Sequence, residues 1–216
     1  DTVFQALAEE AESVPPGCHG LLALPYFSGE RTPLNDPHAR GILAGLTLSH
    51  TRAHLYRSLL EGVAYGIRHN LEEMGLPVDA GSAGPGNSAG PGNTIAGSER
   101  GSGGGAAHDR SAGGERLLGI GGGTKNRLWM QIVTDIIGMP QELRESPGAS
   151  YGDAVLAALN TGVLRDRSYI EEWLPPPVRL EPNPENREIY ENHYRLFRAL
   201  YRESLESVHA LAEEQR

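Results

Sequence analysis

Cysteine is nearly absent from this sequence: Cys18 is the only one in 216 residues. A single thiol excludes an internal disulfide framework and a cysteine-rich zinc site, and it fits a reduced, cytoplasmic setting. Long hydrophobic runs are also missing. The longest strongly apolar stretch, 20–27, falls far short of the ~20 residues that cross a bilayer, so no membrane partner is expected. Positive charge is in deficit. Nineteen Lys and Arg stand against 28 Asp and Glu, a formal net charge of −9, which argues against a nucleic-acid-binding surface. There is no GK[ST] triplet and hence no Walker A loop, and no glycine pattern after a strand completes a dinucleotide fingerprint. No signal peptide opens the chain, and its first residue is Asp1 rather than Met. A fragment or a processed product is therefore one expectation.

Glycine is what the sequence has in excess, 28 residues of 216. Much of it lies in one segment, 77–115, which has almost no large apolar side chains. Within it SAGPGN occurs at 82–87 and again, without a gap, at 88–93. Such a segment cannot bury enough apolar surface to offset its ordering entropy. It reads as a flexible, disordered insertion, and loop closure is cheap enough for one domain to carry it. The folded material is then 1–76 and 116–216, enough for a single core.

Apolar spacing predicts the elements. Val3, Phe4, Leu7, Ala8, Ala11 and Val14 repeat every three or four residues and predict a helix over 2–14, ended by Pro15, Pro16 and Gly17. Residues 20–27 read as a buried strand, and 41–48 as a second apolar segment. A long helix is predicted over 51–74, with a stripe at Leu55, Leu59, Val63, Ile67 and Leu71. Gly62 and Gly66 lie between these and would admit a close neighbour. A short strand at 116–120 runs into Gly121-Gly122-Gly123-Thr124-Lys125-Asn126. A helix with Leu128, Trp129, Ile132, Val133, Ile136 and Ile137 follows, then a strand at 139–143 and an alanine-rich helix at 148–162. Five prolines fall within 174–184. The tail, 185–215, is a helix whose Tyr190, Tyr194, Phe197 and Tyr201 form a core-facing stripe. Strands alternating with helices predict an α/β layered domain.

The strand–GGGTKN–helix unit is the best local signal for chemistry. Glycines after a strand let a ligand reach bare backbone N–H groups, and the helix that follows offers unpaired donors and partial positive charge. Asn126 can cap that helix or bond a ligand; a tight turn with an ordinary cap is the plain alternative. Gly148-Ala149-Ser150-Tyr151-Gly152 matches the G-x-S-x-G nucleophile elbow of hydrolases, but the polar run ending in Pro147 is not the buried strand that motif needs. A glycine-rich start to a tightly packed helix is the better reading. His50 and His54 share a helical spacing, yet Thr51 stands where a zinc HExxH motif needs glutamate. Glu30, Arg31 and Thr32 lie in a polar loop that reads equally well as a site or a solvated turn.

Three blocks, GLLALPYFSGERTPLNDPHARGILAGLTLSHTRAHLYRSLLEGVAYGIRHNLEEM, LLGIGGGTKNRLWMQIVTDIIGMPQ and GASYGDAVLAALNTG, resemble in that order the C-terminal lobe of the FGGY family of carbohydrate kinases. Within the family they look closest to its xylulose kinase branch. Gly41-x-Leu43-x-Gly45-Leu46, seven residues, then His54-Leu55-x-x-Ser58-Leu59-Leu60-Glu61 fits the family's second signature. The insertion at 77–115 departs from the family, where a short connection is usual.

The resemblance implies an α/β, ribonuclease-H-like (actin-like ATPase) fold, here one lobe with its Gly-rich insertion. It implies transfer of the γ-phosphoryl group of ATP, with Mg²⁺, to a sugar or polyol hydroxyl. By matching positions, Gly121, Gly122 and Asn126 would contact the nucleotide, with Gly123 and Thr124 lining it. Ser49 belongs to a turn near it. The loop of Glu30, Arg31 and Thr32 faces the cleft, with no defined role. The catalytic aspartate and most sugar and Mg²⁺ contacts belong to the family's N-terminal lobe, the expected partner, so no catalytic or metal residue is assigned here. The chain alone is expected not to turn over. A homodimer is left open, as is a truncated, non-catalytic binding module. A hydrolase built on Ser150 is the remaining alternative.

Overall fold

The computed structural model describes residues 2–76, 78, 116–144, 148–166 and 175–215. The predicted insertion lies, apart from Val78, outside the described residues. Among the described residues the helices are α1 (Thr2–Glu12), α2 (Arg52–Glu73), α3 (Arg127–Ile137), α4 (Ala149–Asn160) and α5 (Arg187–Glu213). The strands are β1 (Leu22–Leu24), β2 (Ile42–Ala44), β3 (Leu117–Gly119), β4 (Gln141–Leu143) and β5 (Val178–Leu180).

Two small sheets result. β1 and β2 pair antiparallel, Ala23 opposite Leu43. β3 and β4 pair parallel, with α3 as the crossover between them, and β5 closes the other edge antiparallel, in the order β3-β4-β5. This is the predicted α/β alternation, with strands of three residues each. β5 was not expected. It is flanked by Pro177 and Pro182 and survives because an edge strand tolerates prolines at its ends.

The core lies where α2, α3 and α5 meet β1 and β4. Tyr65, Ile132, Val133, Ile136, Ile137, Leu143, Tyr190, Tyr194 and Phe197 are buried there, so the tail stripe faces the core as expected. Tyr65 and Phe197 approach to 5.4 Å between ring centroids. The first helix departs from its expected pattern. Ala11 and Val14 are buried, but Val3 and Phe4 are 67% and 68% exposed, and the helix stops at Glu12. The segment at 41–48 forms a strand only over Ile42–Ala44, and Leu46 and Leu48 are exposed.

The long helix is the clearest correction. Its expected stripe is only half-buried, and Val63 is exposed. The buried face is Ala53, Arg57, Ser58, Glu61, Gly62, Ala64, Tyr65, Arg68 and His69. Hydropathy assigns arginine and glutamate to solvent. Here their charges find partners inside. Arg57 Nε donates to Glu61 at 2.9 Å, and the Arg68 guanidinium holds both carboxylate oxygens of Glu191, at 2.7 and 3.0 Å. Bidentate pairing of this kind is what lets a charge leave water. The alanine-rich helix α4 is likewise not tightly packed. Val155 is buried, but most of its other described positions are exposed.

Candidate functional site

α2 and α3 run side by side in the same direction. Near their starts Asn126 Nδ2 donates to the Tyr56 hydroxyl at 3.3 Å. Twelve residues further along α2, Arg68 donates to the Ile136 carbonyl at 3.2 Å, ten residues along from Asn126. Both helix N-termini therefore open at one end of the molecule. The turn before α2 and the glycine turn before α3 flank that end.

The glycine turn follows β3. Gly121 has φ 95°, a backbone state that side chains rarely adopt. A Cβ at Gly121 or Gly122 would meet no atom within 4 Å, so their backbone borders open space. The other members of the run have internal tasks. A Cβ on Gly123 would come within 2.6 Å of the Trp129 ring. The Thr124 hydroxyl donates to the Gly121 carbonyl at 2.7 Å and closes the turn. Gly122–Lys125 forms a 3₁₀ turn, and Asn126 then caps α3, its Oδ1 accepting from the Trp129 N–H at 3.0 Å.

Before α2, the Ser49 and Thr47 hydroxyls bond each other at 2.8 Å, and His50 Nδ1 accepts from the Thr47 N–H at 2.9 Å. Thr51 caps α2. His54 Nδ1 accepts from the Thr51 N–H at 3.3 Å, which places the His54 proton on Nε2, and that nitrogen donates to His19 Nδ1 at 3.1 Å. Desolvation, His50 and His19 all hold the His54 pKa below the usual imidazole value. His50 and His54 thus serve as turn and cap partners. Among the described residues, no group of three His, Cys, Asp or Glu side chains is placed to hold a metal ion.

Residues 1–161 match the model of the C-terminal domain of the FGGY family of carbohydrate kinases. The chain belongs to that family. It is 30% identical to a xylulose kinase of Staphylococcus epidermidis over 203 residues, covering 93% of this chain and 34% of that protein. It is 28% identical to a ribulokinase of Bacillus licheniformis, covering 93% and 32%. The crystal structure of a xylulose kinase from Rhodospirillum rubrum matches with a TM-score of 0.66 and 32% identity, over 95% of this chain and 35% of that one. The fold is thus the α/β fold of FGGY sugar kinases, and the chain spans about a third of the length of the curated relatives it matches.

In this FGGY domain the loop of Glu30, Arg31 and Thr32 lies away from the glycine turn. Pro33 and Leu34 border a small cavity with His69 and Glu73, near the far end of α2. That end is about 25 Å along the helix axis from Tyr56. The loop is held by backbone bonds between Glu30 and Asp36 at 2.8 and 2.7 Å. Thr32 N–H donates to the Glu30 carboxylate at 3.0 Å. Asp36 is its anchor: one carboxylate oxygen accepts from the His38 and Ala39 N–H groups, the other from the Tyr201 hydroxyl and His209 Nε2, both at 2.8 Å. Burial raises the Asp36 pKa, but the hydrogen bonds from His209, Tyr201 and His38 outweigh it and hold the carboxyl below its ordinary value.

A carboxyl depressed in the folded state contributes stability above its unfolded pKa and loses it as pH falls through the folded one. Asp36→Asn is therefore expected to lower stability by about 1–3 kcal/mol at pH 7. Its deficit relative to the parent should shrink as pH drops below about 4. Urea unfolding at pH 7 and pH 3 checks this, and a deficit independent of pH would exclude a charge-based anchor.

Ser150 lies exposed in the first turn of α4. The residues linking it to β4, 145–147, are outside the described residues. Cys18 is fully buried, and burial, with Glu61 alongside, pushes its thiol up and away from reactivity. Sequence reading misses Tyr56 and His19 near the glycine turn and the start of α2. Tyr56 carries no local signal, because its partner is 70 residues away. Apolar spacing assigns Trp129 to the face of α3 alone, yet its Nε1 is a buried donor with no partner among the described residues.

Proposed function

We propose that the turn from Gly121 to Asn126, with the adjoining N-terminus of α2 near Ser49, binds the nucleotide of an ATP-dependent sugar kinase. The acceptor would be xylulose or a related ketose or polyol. One observation carries the reading: the open backbone at Gly121 and Gly122 borders the end where two parallel helices present their N-termini. Partial positive charge and unpaired N–H groups suit an anionic ligand there, and unblocked glycines suit its close approach. Asn126 Nδ2 has two hydrogens, of which Tyr56 takes one. The other has no partner among the described residues and would serve a base or ribose. ATP supplies the phosphoryl group in the proposed reaction. With no acidic cluster in the described residues, Mg²⁺ would ride on its phosphates and on the part of the relatives that this chain does not cover. The catalytic base is expected there too. Asp36 is committed to its loop, and Asp153 is exposed on α4. The chain by itself is expected to bind nucleotide and not to turn over.

Calorimetry with ADP tests the site. Asn126→Ser keeps a capping oxygen and removes the amide. Stability should change by only a few tenths of a kcal/mol, while ADP affinity falls about tenfold, the weight of a lost hydrogen bond to a ligand. Unchanged affinity would remove Asn126 from the site. Xylulose-dependent ADP production by the pure chain would overturn the expectation of no turnover. Stable folding with no ADP affinity would favour a binding module that has lost the site.

A further inference from the structure

We infer that Tyr56 is a positioning residue of this nucleotide site, acting through Asn126; the inference rests on the reading just given. The Asn126 carboxamide has two groups with different tasks. Its Oδ1 is fixed by the Trp129 N–H at 3.0 Å, and its Nδ2 by the Tyr56 hydroxyl at 3.3 Å. The first bond caps α3. It leaves the plane of the amide free to swing about the capped oxygen. The second bond removes that freedom, because Nδ2 is then tied to α2, a separate element. With both made, one amide hydrogen is spent on Tyr56 and the other has a single direction. A donor fixed before the ligand arrives does not lose that rotational freedom on binding, which is where preorganised sites gain affinity.

Tyr56 is suited to the task. It is half-buried near the start of α2, and its hydroxyl reaches α3 at Asn126. α2 carries its neighbours rigidly: Thr51 and His54 cap it, and Arg57 and Glu61 anchor its next turn inside the core. The orientation of the Asn126 amide is thereby set by the scaffold rather than by the exposed glycine turn.

Tyr56→Phe removes one oxygen and keeps the ring. Measured by calorimetry on the full chain, it should weaken ADP binding about fivefold, within the range of one hydrogen bond. Placed on Asn126→Ser, the same change should do nothing further, because there is no amide left to orient. The readout is the coupling in this four-protein cycle, which a packing role would not produce. Equal affinity of Tyr56→Phe and the parent, with Asn126→Ser still weakened, would overturn the inference and leave the nucleotide site standing. The same factor in both backgrounds, or an effect of Tyr56→Phe with none from Asn126→Ser, would also overturn it. No ADP binding by the parent chain would remove both the site and this inference.

Discussion

Glu61→Ala is expected to cost this chain about 3–5 kcal/mol of folding stability, the range for removing one partner of a buried ion pair. The Glu61 side chain is 2% exposed and that of Arg57 7%. One oxygen of Glu61 accepts from Arg57 Nε at 2.9 Å, from the Gly17 N–H at 3.2 Å and from the Tyr190 hydroxyl at 3.3 Å. Arg57 in turn donates to the Tyr190 hydroxyl at 3.1 Å. The cluster ties α2 to the turn after α1 and to the far helix α5. Burial pushes the Glu61 carboxyl up, and Arg57 beside it opposes the shift. Alanine leaves a guanidinium inside with no counter-charge, an orphaned Gly17 N–H and a cavity.

Glu61→Gln keeps the volume and an acceptor and should lose about half as much. Arg57→Met with Glu61→Leu should recover part of the loss, since a matched apolar pair removes both charges together. Urea midpoints at constant m-value read all three. A loss below about 1 kcal/mol for Glu61→Ala would mean that water or another acceptor reaches Arg57.

The second large effect separates two glycines that look alike in sequence. Gly62 and Gly66 stand one turn apart in α2. A Cβ on Gly62 would lie 2.5 Å from the Ala23 carbonyl oxygen and 3.2 Å from the Pro25 ring. The obstacle is the backbone of β1, which cannot swing aside like a side chain. Gly62→Val should therefore cost about 3 kcal/mol, the upper part of the range for overpacking, by prising α2 off β1. A Cβ on Gly66 would meet nothing within 4 Å. Gly66→Ala should instead stabilise the chain by up to about 1 kcal/mol through helix propensity alone. The two variants are predicted to move thermal midpoints in opposite directions. Loss of stability in both would show that the helix face around Gly66 is covered.

Much of this molecule was legible along the chain. The long apolar-periodic segments became helices within a few residues of expectation. The strand–GGGTKN–helix unit became β3, a 3₁₀ turn and α3, with Asn126 as the cap. Three ordered sequence blocks pointed to the FGGY family, and the family match bears that out. These features were readable because they are local: helix periodicity, glycine in a backbone state closed to other residues, and a capping amide all act over a few residues. The resemblance assigns nucleotide contacts to 121–126 and only a place on the cleft, with no defined role, to 30–32, and the fold puts these two segments near opposite ends of α2.

What local pattern does not encode is partnership across the chain. No periodicity shows that Arg57 and Arg68 face inward: beside their local partners Glu61 and Glu72, they meet Tyr190 and Glu191, more than a hundred positions later. No motif shows that Asp36 holds its loop through His209, 173 residues away. Nor does any show that Tyr56 fixes Asn126. Sequence alone determined most of the elements and the glycine turn, because short-range sterics and hydrophobic spacing decide them, and its ordered blocks carried the resemblance to the family. Tertiary structure alone decided which charges are buried, which glycine lies against backbone and which distant side chains bond one another, because those depend on what the fold brings into contact.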